Sequence, residues 1–597
     1  MRKMKLATYS AIDLLQKKKR LCRELRSGAG LRPIRVAVLG GTTTSELVDL
    51  LELVLLARGF DPAFYQSEYN RFFEDAVLEP DKLQAFQPDL VYVHTHYKNI
   101  RHFPKISDGE SAFQASLEAE LDRFGAVWSC LHNVVGSQVI QNNFEHPPAL
   151  LGNHDAVLSV GPVRFVNELN LEFSKRAAND SRLLIQDLNS VAARIGLDHW
   201  FDWNRWYSYK ILTTPEASLA IARSLAAIIS ALRGASKKCL VLDLDNTLWG
   251  GVIGDDGVEK IQIGKETALA EAYTAFQEYC LSLRNRGVLL AVCSKNNEDI
   301  AKSGFAHPCS ILKLEHFSAF RANWDPKHDN LRSIALELNL GLDSLVFVDD
   351  NPAERAIVAA QLPEVEVPNV GDEIALYPSI IQAGRYFEAL SLSPEDLSRA
   401  ELYEKNALRS ASQSKFADYG EYLDSLEMAA EIEPFKPVYY DRITQLINKT
   451  NQYNLTTRRY TLAEVEMIAR DPDYVAISGK LIDTFGDNGL ISAIIGRRIG
   501  RELHVDLWIM SCRVLKREIE FAMLDALVQS CRDKGISQII GHYIASPKNG
   551  IVADHYQTLG FYPGAQEEQG CSTWLMSLED YVPKTRHIRI CQPVSLG

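Results

Sequence analysis

The chain has no Cys-x-x-Cys pair among its ten cysteines, no low-complexity tract, no excess of basic charge and no uninterrupted apolar run long enough to span a bilayer. Each absence excludes something. Without cysteine pairs at metal-ligand spacing no zinc site is legible, and scattered thiols such as Cys130, Cys293 and Cys512 suit a reducing compartment better than a disulfide framework. A net charge of -13 argues against non-specific nucleic-acid binding, so an acidic partner would need a local basic patch. The opening stretch MRKMKLATYSAIDLLQKKKRLCREL lacks the apolar core and cleavage site of a signal peptide, and the expectation is a cytoplasmic protein with no membrane partner. Its KKKR run at 17–20 reads as a solvated helix face.

At 597 residues the chain exceeds what one hydrophobic core supports, so several domains are expected. Residues 1–32 read as an N-terminal helix. From 33 to 234, apolar strands alternate with helical pattern: IRVAVLGG, PDLVYVHTHY at 88–97 and AVLSVG at 156–161, closed by the helix ASLAIARSLAAIISALRG. Residues 235–390 repeat strand and helix around CLVLDLD, GVLLAVCSK and SLVFVDD, the pattern of a doubly wound parallel sheet whose functional residues belong at the carboxyl ends of its strands. A polar helical connector spans 391–430, and 431–597 reads as a mixed α/β domain. The fold class is multidomain α/β.

The chemistry concentrates at 239–251, CLVLDLDNTLWGG. Side chains on an extended strand repeat every two residues, so Asp243 and Asp245 are expected to reach one pocket. One carboxylate can attack phosphorus and bind a divalent metal, while the other acts as general acid and base. Thr247 and Ser294 would offer hydroxyls to phosphoryl oxygens, and Lys327 would neutralise their charge. Asp349 and Asp350, after LVFV, supply hard oxygen ligands for Mg²⁺. Cys293 adjoins Ser294, so strand alternation turns it into the core.

The ordered set DLDNTLW, CSKNN, Lys327 and VDDNPAER resembles the haloacid dehalogenase superfamily of aspartyl-phosphate phosphatases. Within it, LDLDNTLWGGVIGDDG, VCSKN, NWDPKHDN, RITQLINKTNQYNLTTRRY and MSCRVLKREIE resemble the FkbH-like glyceryl transferase/phosphatases. The resemblance implies Asp243 as nucleophile, Asp245 as general acid/base with its backbone carbonyl on the metal, and phosphate contacts from Thr247, Ser294, Lys295 and Asn296. It also implies a substrate, 1,3-bisphosphoglycerate, whose glyceryl unit is dephosphorylated and loaded on the phosphopantetheine thiol of an acyl carrier protein for polyketide or tetronate assembly. Attack by Asp243 on the acyl phosphate would waste the activated bond. A thiol is therefore expected to take the acyl carbon first, and Asp243 to remove the second phosphate afterwards.

Cys512, ending VDLWIMSC beside Arg513 and Arg517, is the candidate acyl thiol, with His542 as its base. The last domain resembles an acyl-CoA N-acyltransferase. Its pyrophosphate turn, usually Arg-x-x-Gly-x-Gly/Ala, here reads RVLKRE, with Lys516 and Glu518 at the small positions. Acetyl-CoA is disfavoured, while a carrier's pantetheine arm is left as an occupant of the same groove. Arg458, Arg459, Lys516, Arg513 and Arg517 are candidates for carrier docking. The domain at 33–234 resembles an SGNH hydrolase, with LGGTTTSEL at its nucleophile turn, NNF at 142–144 and only Asp198-His199 for its closing motif. It is expected to bind or scaffold rather than hydrolyse. Competing readings are a stand-alone Mg-dependent phosphatase of a small metabolite and a non-catalytic carrier-docking scaffold.

Overall fold

The computed structural model describes residues 6, 9–27, 30–397, 399–413, 416, 418–546, 548–566 and 570–591. They form two compact units, Met1–Ser230 and Ala231–Gly597, so the second and third α/β regions share one unit.

The first unit is a five-stranded parallel sheet in the order β2-β1-β3-β4-β5. Its strands are β1 (Arg32–Gly40), β2 (Phe60–Gln66), β3 (Leu90–His94), β4 (Gln138–Asn142) and β5 (Leu183–Gln186). Residues 156–161, expected as a strand, instead form turns ahead of the helix Pro162–Asn179, and Val157 is 73% exposed. Gly161-Pro162 starts that helix, because proline suits a first turn that needs no N–H partner. The helix Pro215–Leu232 is long and apolar enough by length and composition to cross a membrane, yet 67% of it is buried within the fold.

The second unit holds two sheets. Four parallel strands, β6 (Cys239–Leu242), β7 (Leu289–Ser294), β8 (Phe317–Ala322) and β9 (Leu345–Val348), run in the order β8-β7-β6-β9. β6, β7 and β9 are wholly buried, which explains their unbroken apolar runs. Strand order reverses beside β6, so the carboxyl ends of β6 and β9 flank a natural ligand crevice. The helix Ala268–Asn285 covers the sheet with Phe276, against which Tyr377 stacks edge-on.

The other sheet has eight strands in the order β15-β16-β14-β13-β12-β11-β10-β17. They are β10 (Met428–Pro434), β11 (Tyr474–Asp483), β12 (Gly486–Ile499), β13 (Glu502–Met510), β14 (Gln538–Tyr543), β15 (Tyr562–Gln566), β16 (Ser572–Ser577) and β17 (Ile588–Cys591). β10 to β13 pair antiparallel, then β13 runs parallel to β14 across the helix Ile519–Asp533. Two parallel pairs, β13–β14 inside the sheet and β10–β17 at its edge, interrupt the antiparallel pairing. The connector forms the helices Arg399–Gln413 and Tyr419–Ser425.

Candidate active site

β6 stops at Leu242, so Asp243 and Asp245 both lie on the loop beyond it and strand alternation is not what aims them. Asn246 takes a left-handed φ of 54°, which turns the loop back on itself. Asp245 Oδ1 then accepts from the Trp249 indole at 2.9 Å and the Ile253 N–H at 3.0 Å, while Oδ2 accepts from Asn296 Nδ2 at 3.0 Å. Burial raises the Asp245 carboxyl above its ordinary value, against the opposing Ile253 and Trp249 hydrogen bonds. A carboxyl so placed is suited to hold and release a proton.

Asp243 faces a different set of neighbours. Lys327, buried at the start of the helix Lys327–Glu337, reaches Asp243 Oδ2 at 2.9 Å and Asp349 Oδ2 at 2.5 Å. Burial alone would lower the lysine's pKa, but the two carboxylates outweigh it and hold the ammonium charged, above its ordinary value. Burial and the nearby Asp243 push Asp349 up to about 6 in spite of Lys327. Burial, then Asp243, also raises Asp350.

Asp243, Asp349 and Asp350 each bring a carboxylate oxygen within 4.8 Å of the others. Asp243 Oδ1 is buried and has no hydrogen-bond partner among the described residues. An orphaned buried carboxylate oxygen in a set of hard oxygen donors is what a divalent cation of the Mg²⁺ type completes. The residues therefore fit the metal.

Other expected residues take supporting positions. Thr247 is fully buried and its Oγ1 accepts from the Asp350 N–H at 3.1 Å, tying the β6 loop to the β9 loop. Ser294 ends β7, 2% exposed, and its carbonyl accepts from Asn323 N–H. Lys295 is spent on Glu354 at 2.6 Å, and Asn296 orients Asp245. Cys293 is buried, and burial pushes its thiol far up. Sequence reasoning missed Arg355, whose Nη1 donates to the carbonyls of Asp349 at 2.7 Å and Asp350 at 2.6 Å. Its signal was an arginine in the first turns of the helix after DDNP.

Two expectations in the acyltransferase-like domain change. His542, expected beside Cys512, stacks on His504 of β13 and shares a hydrogen bond with it at 3.1 Å. His504 lies six residues before the end of β13, about 20 Å along an extended strand, and Cys512 begins a short turn beyond that end. The Cys512 side chain lies outside the described residues. Arg517, expected to dock a carrier, is 7% exposed and bridges Asp483 at 2.9 Å, which Arg409 also grips at 2.7 Å. Burial, then the like charge of Arg409, lowers its pKa to about 10. Arg459 is committed to the carbonyls of Ile447 and Thr450 and to Asn451 Oδ1. Arg458 pairs with Asp506 at 2.6 Å on a half-exposed surface, and Arg513 Nε donates to Ser511 Oγ at 3.1 Å.

Among the described residues of the first unit, no hydrolase triad assembles at the nucleophile turn. Thr42 is buried, Asp198-His199 is exposed, and Asn142 is consumed by the backbone of Thr95 and Asn143. What fills the carboxyl ends of β3 to β5 is a buried polar chain. Gln186 Nε2 donates to Ile221 O at 3.0 Å, so its Oε1 accepts from Tyr92 OH at 2.5 Å. Tyr92 has one proton, so His94 Nδ1 donates to it at 2.8 Å. Burial, then His96, holds His94 far below its ordinary pKa, hence neutral, and its Nε2 accepts from His96 Nε2 at 3.1 Å. His96 Nδ1 then meets Glu145 Oε1 at 3.0 Å, which ends the chain on a buried carboxylate.

No family model matches the sequence, and comparison with curated proteins returns no match. Among solved structures, the N-terminal part of a Bacteroides fragilis protein, containing a phosphatase domain and complexed with Mg, is 31% identical, with a TM-score of 0.58. The match covers 64% of this chain and 100% of that one. Spermidine N-acetyltransferase from Vibrio cholerae in complex with CoA and spermine is 13% identical, TM-score 0.21, over 26% of this chain and 96% of its own. The GNAT domain of S. lividans PAT is 15% identical, TM-score 0.21, over 24% and 89%.

Proposed function

From the premise that this chain belongs to the haloacid-dehalogenase-type phosphatases, we propose that it removes phosphate from a phosphorylated three-carbon acyl group and loads that group on the thiol of an acyl carrier protein. The observation that carries the phosphatase half is the Asp243-Lys327-Asp349 cluster with its orphaned Asp243 Oδ1. Asp243, Asp349, Asp350 and the Asp245 carbonyl would hold Mg²⁺, which supplies charge neutralisation for the transferring phosphoryl group.

A carboxylate oxygen of Asp243 attacks phosphorus, the ester P–O bond breaks, and Asp245 gives its proton to the departing alkoxide. Water then attacks the aspartyl phosphate, Asp245 takes its proton, and inorganic phosphate leaves. Trp249, Ile253 and Asn296 fix the Asp245 oxygens for both proton transfers. Lys327 steadies the nucleophile throughout.

The acyl-transfer half rests on the FkbH-like motifs and on the position of Cys512, whose neighbours Ser511 and Arg513 line a cavity. In this reading the cytoplasmic enzyme takes 1,3-bisphosphoglycerate, a thiol displaces the C1 phosphate, and Asp243 clears the C3 phosphate. The test is incubation with bisphosphoglycerate, Mg²⁺ and a holo carrier protein, read by intact mass. A glyceryl adduct is expected, and Asp243→Asn should stop at the phosphoglyceryl adduct. Phosphate release at full rate without any carrier would favour the stand-alone phosphatase, and carrier binding without adduct the scaffold.

A further inference from the structure

The second unit contains a cavity of about 440 Å³, within the size range of small-molecule sites. One wall is the amino-terminal base of the phosphatase sheet, at Lys238, Leu289 and Asp343. The second is the connector at Asp396, Arg399 and Tyr403. The third is the acyltransferase-like domain at 442–453 and 510–515. Lys548 closes it by pairing with Asp343.

Its charge is unusual for so acidic a chain. Six cations line it, Lys238, Arg399, Arg442, Lys449, Arg513 and Lys548, against three carboxylates, Asp343, Glu364 and Asp396. Asp396 is already gripped by Arg399 and, at 3.2 Å, by Lys449. Leu340, Leu446, Tyr453 and Met510 give it an apolar strip, beside uncharged polar groups that include Thr450, Asn451 and Gln452. A lining of net charge +3 beside an apolar wall selects an anion with an uncharged body.

The groove that would hold a coenzyme in an acyltransferase-like domain is meanwhile covered. Lys516 and Glu518 keep the left-handed backbone that small residues would adopt, with φ of 63° and 60°. The connector nevertheless sits on that turn: Tyr419 OH donates to Lys516 O, Asn406 Nδ2 to Arg513 O, and Arg517 Nη2 to Asn406 Oδ1. A phosphate aimed at this turn meets the connector.

We infer that the cavity between the phosphatase sheet base and the acyltransferase-like domain, rather than the coenzyme groove, receives a phosphopantetheine arm, its phosphate held by the cationic lining and its chain laid along the apolar wall toward the 510–513 turn. The inference rests on the carrier reading for the identity of the arm. Lys238 and Asp243 flank β6 on either side, five residues or about 17 Å of extended chain apart, so the arm's site and the phosphatase site lie at opposite ends of the same strand.

The experiment is titration calorimetry of the full chain in EDTA with phosphopantetheine, pantetheine and 3-phosphoglycerate. Phosphopantetheine is expected to bind at least tenfold more tightly than either of the others. Arg442→Gln should weaken it about tenfold, Arg442→Lys should keep most of it, and Asp243→Asn should leave it unchanged. Hydrolysis of an aryl phosphate by Arg442→Gln with Mg²⁺ should match the unmodified protein, which also checks folding. Equal binding of pantetheine and phosphopantetheine, or loss of binding in Asp243→Asn, overturns the proposal. Tighter binding of 3-phosphoglycerate overturns the arm in favour of a free acid. Phosphopantetheine binding without glyceryl loading would instead sink the loading reaction and leave this site standing.

Discussion

Two parallel sheets in this chain end in buried polar clusters, and the clusters have opposite chemical states. At β3 to β5 of the first unit, hydrogen-bonding side chains run in sequence from Glu145 through His96, His94, Tyr92 and Gln186 to the Ile221 carbonyl. At β6 and β9 of the second unit, two of three clustered carboxylates share one ammonium, and Asp243 Oδ1 has no hydrogen-bond partner among the described residues. Both occupy the position where open α/β sheets bind ligands. What separates them is whether the chain itself supplies the missing charge. The first cluster sets one carboxylate, Glu145, against its own histidines and leaves Glu145 Oε2 without a hydrogen-bond partner among the described residues; the second gathers three carboxylates that suit a divalent cation.

The sharpest break of this comparison is Asp243→Asn, expected to cut Mg-dependent phosphate release by about 1,000-fold or more in a phosphate-release assay, since the covalent route is lost. Lys327→Met comes next. It leaves Asp243 and Asp349 buried together without their ammonium, and should cost roughly 3–5 kcal/mol in denaturant unfolding together with about 100-fold in turnover. Glu145→Gln should leave turnover intact while lowering stability by about 1–3 kcal/mol, because the buried His96 ring loses its carboxylate partner. A collapse of phosphate release in that variant would show that the first cluster is not the self-contained one.

The smallest effect concerns a carboxylate closed by cations. Burial tends to raise Asp396, but Arg399 and Lys449 overcome this and hold it down at about 2. A depressed folded-state value gives stability that is complete above the unfolded value of about 4 and is lost as pH falls toward 2. Asp396→Asn should therefore remove about 2 kcal/mol at neutral pH and flatten the unfolding profile between pH 4 and 2.

Much of the second cluster was legible because its parts are local: each carboxylate or lysine follows an apolar strand or opens a helix, and sequence order supplies the rest. The first sheet was less so. AVLSVG has a strand's hydrophobicity but precedes a proline-started helix, whereas the true strands QVIQN and LLIQ carry glutamine and asparagine side chains that are buried in hydrogen bonds. Buried amides disguise a core strand as a loop. His542 and Arg517 failed for another reason. Their partners, His504 and Asp483, lie 38 and 34 residues away, and only the register of β13 against β14 and the packing of the connector bring them together.

The carboxylate cluster also sets an order of events. Asp243, Asp349 and Asp350 crowd their carboxylates together with Lys327 bridging two of them, an environment that disfavours the approach of a phosphate monoester. A divalent cation held by these residues would offset that repulsion, which favours an order in which metal precedes substrate. Apparent affinity for substrate then becomes a readout of how much of the enzyme is already metallated, and the cell's free magnesium a throttle on its turnover.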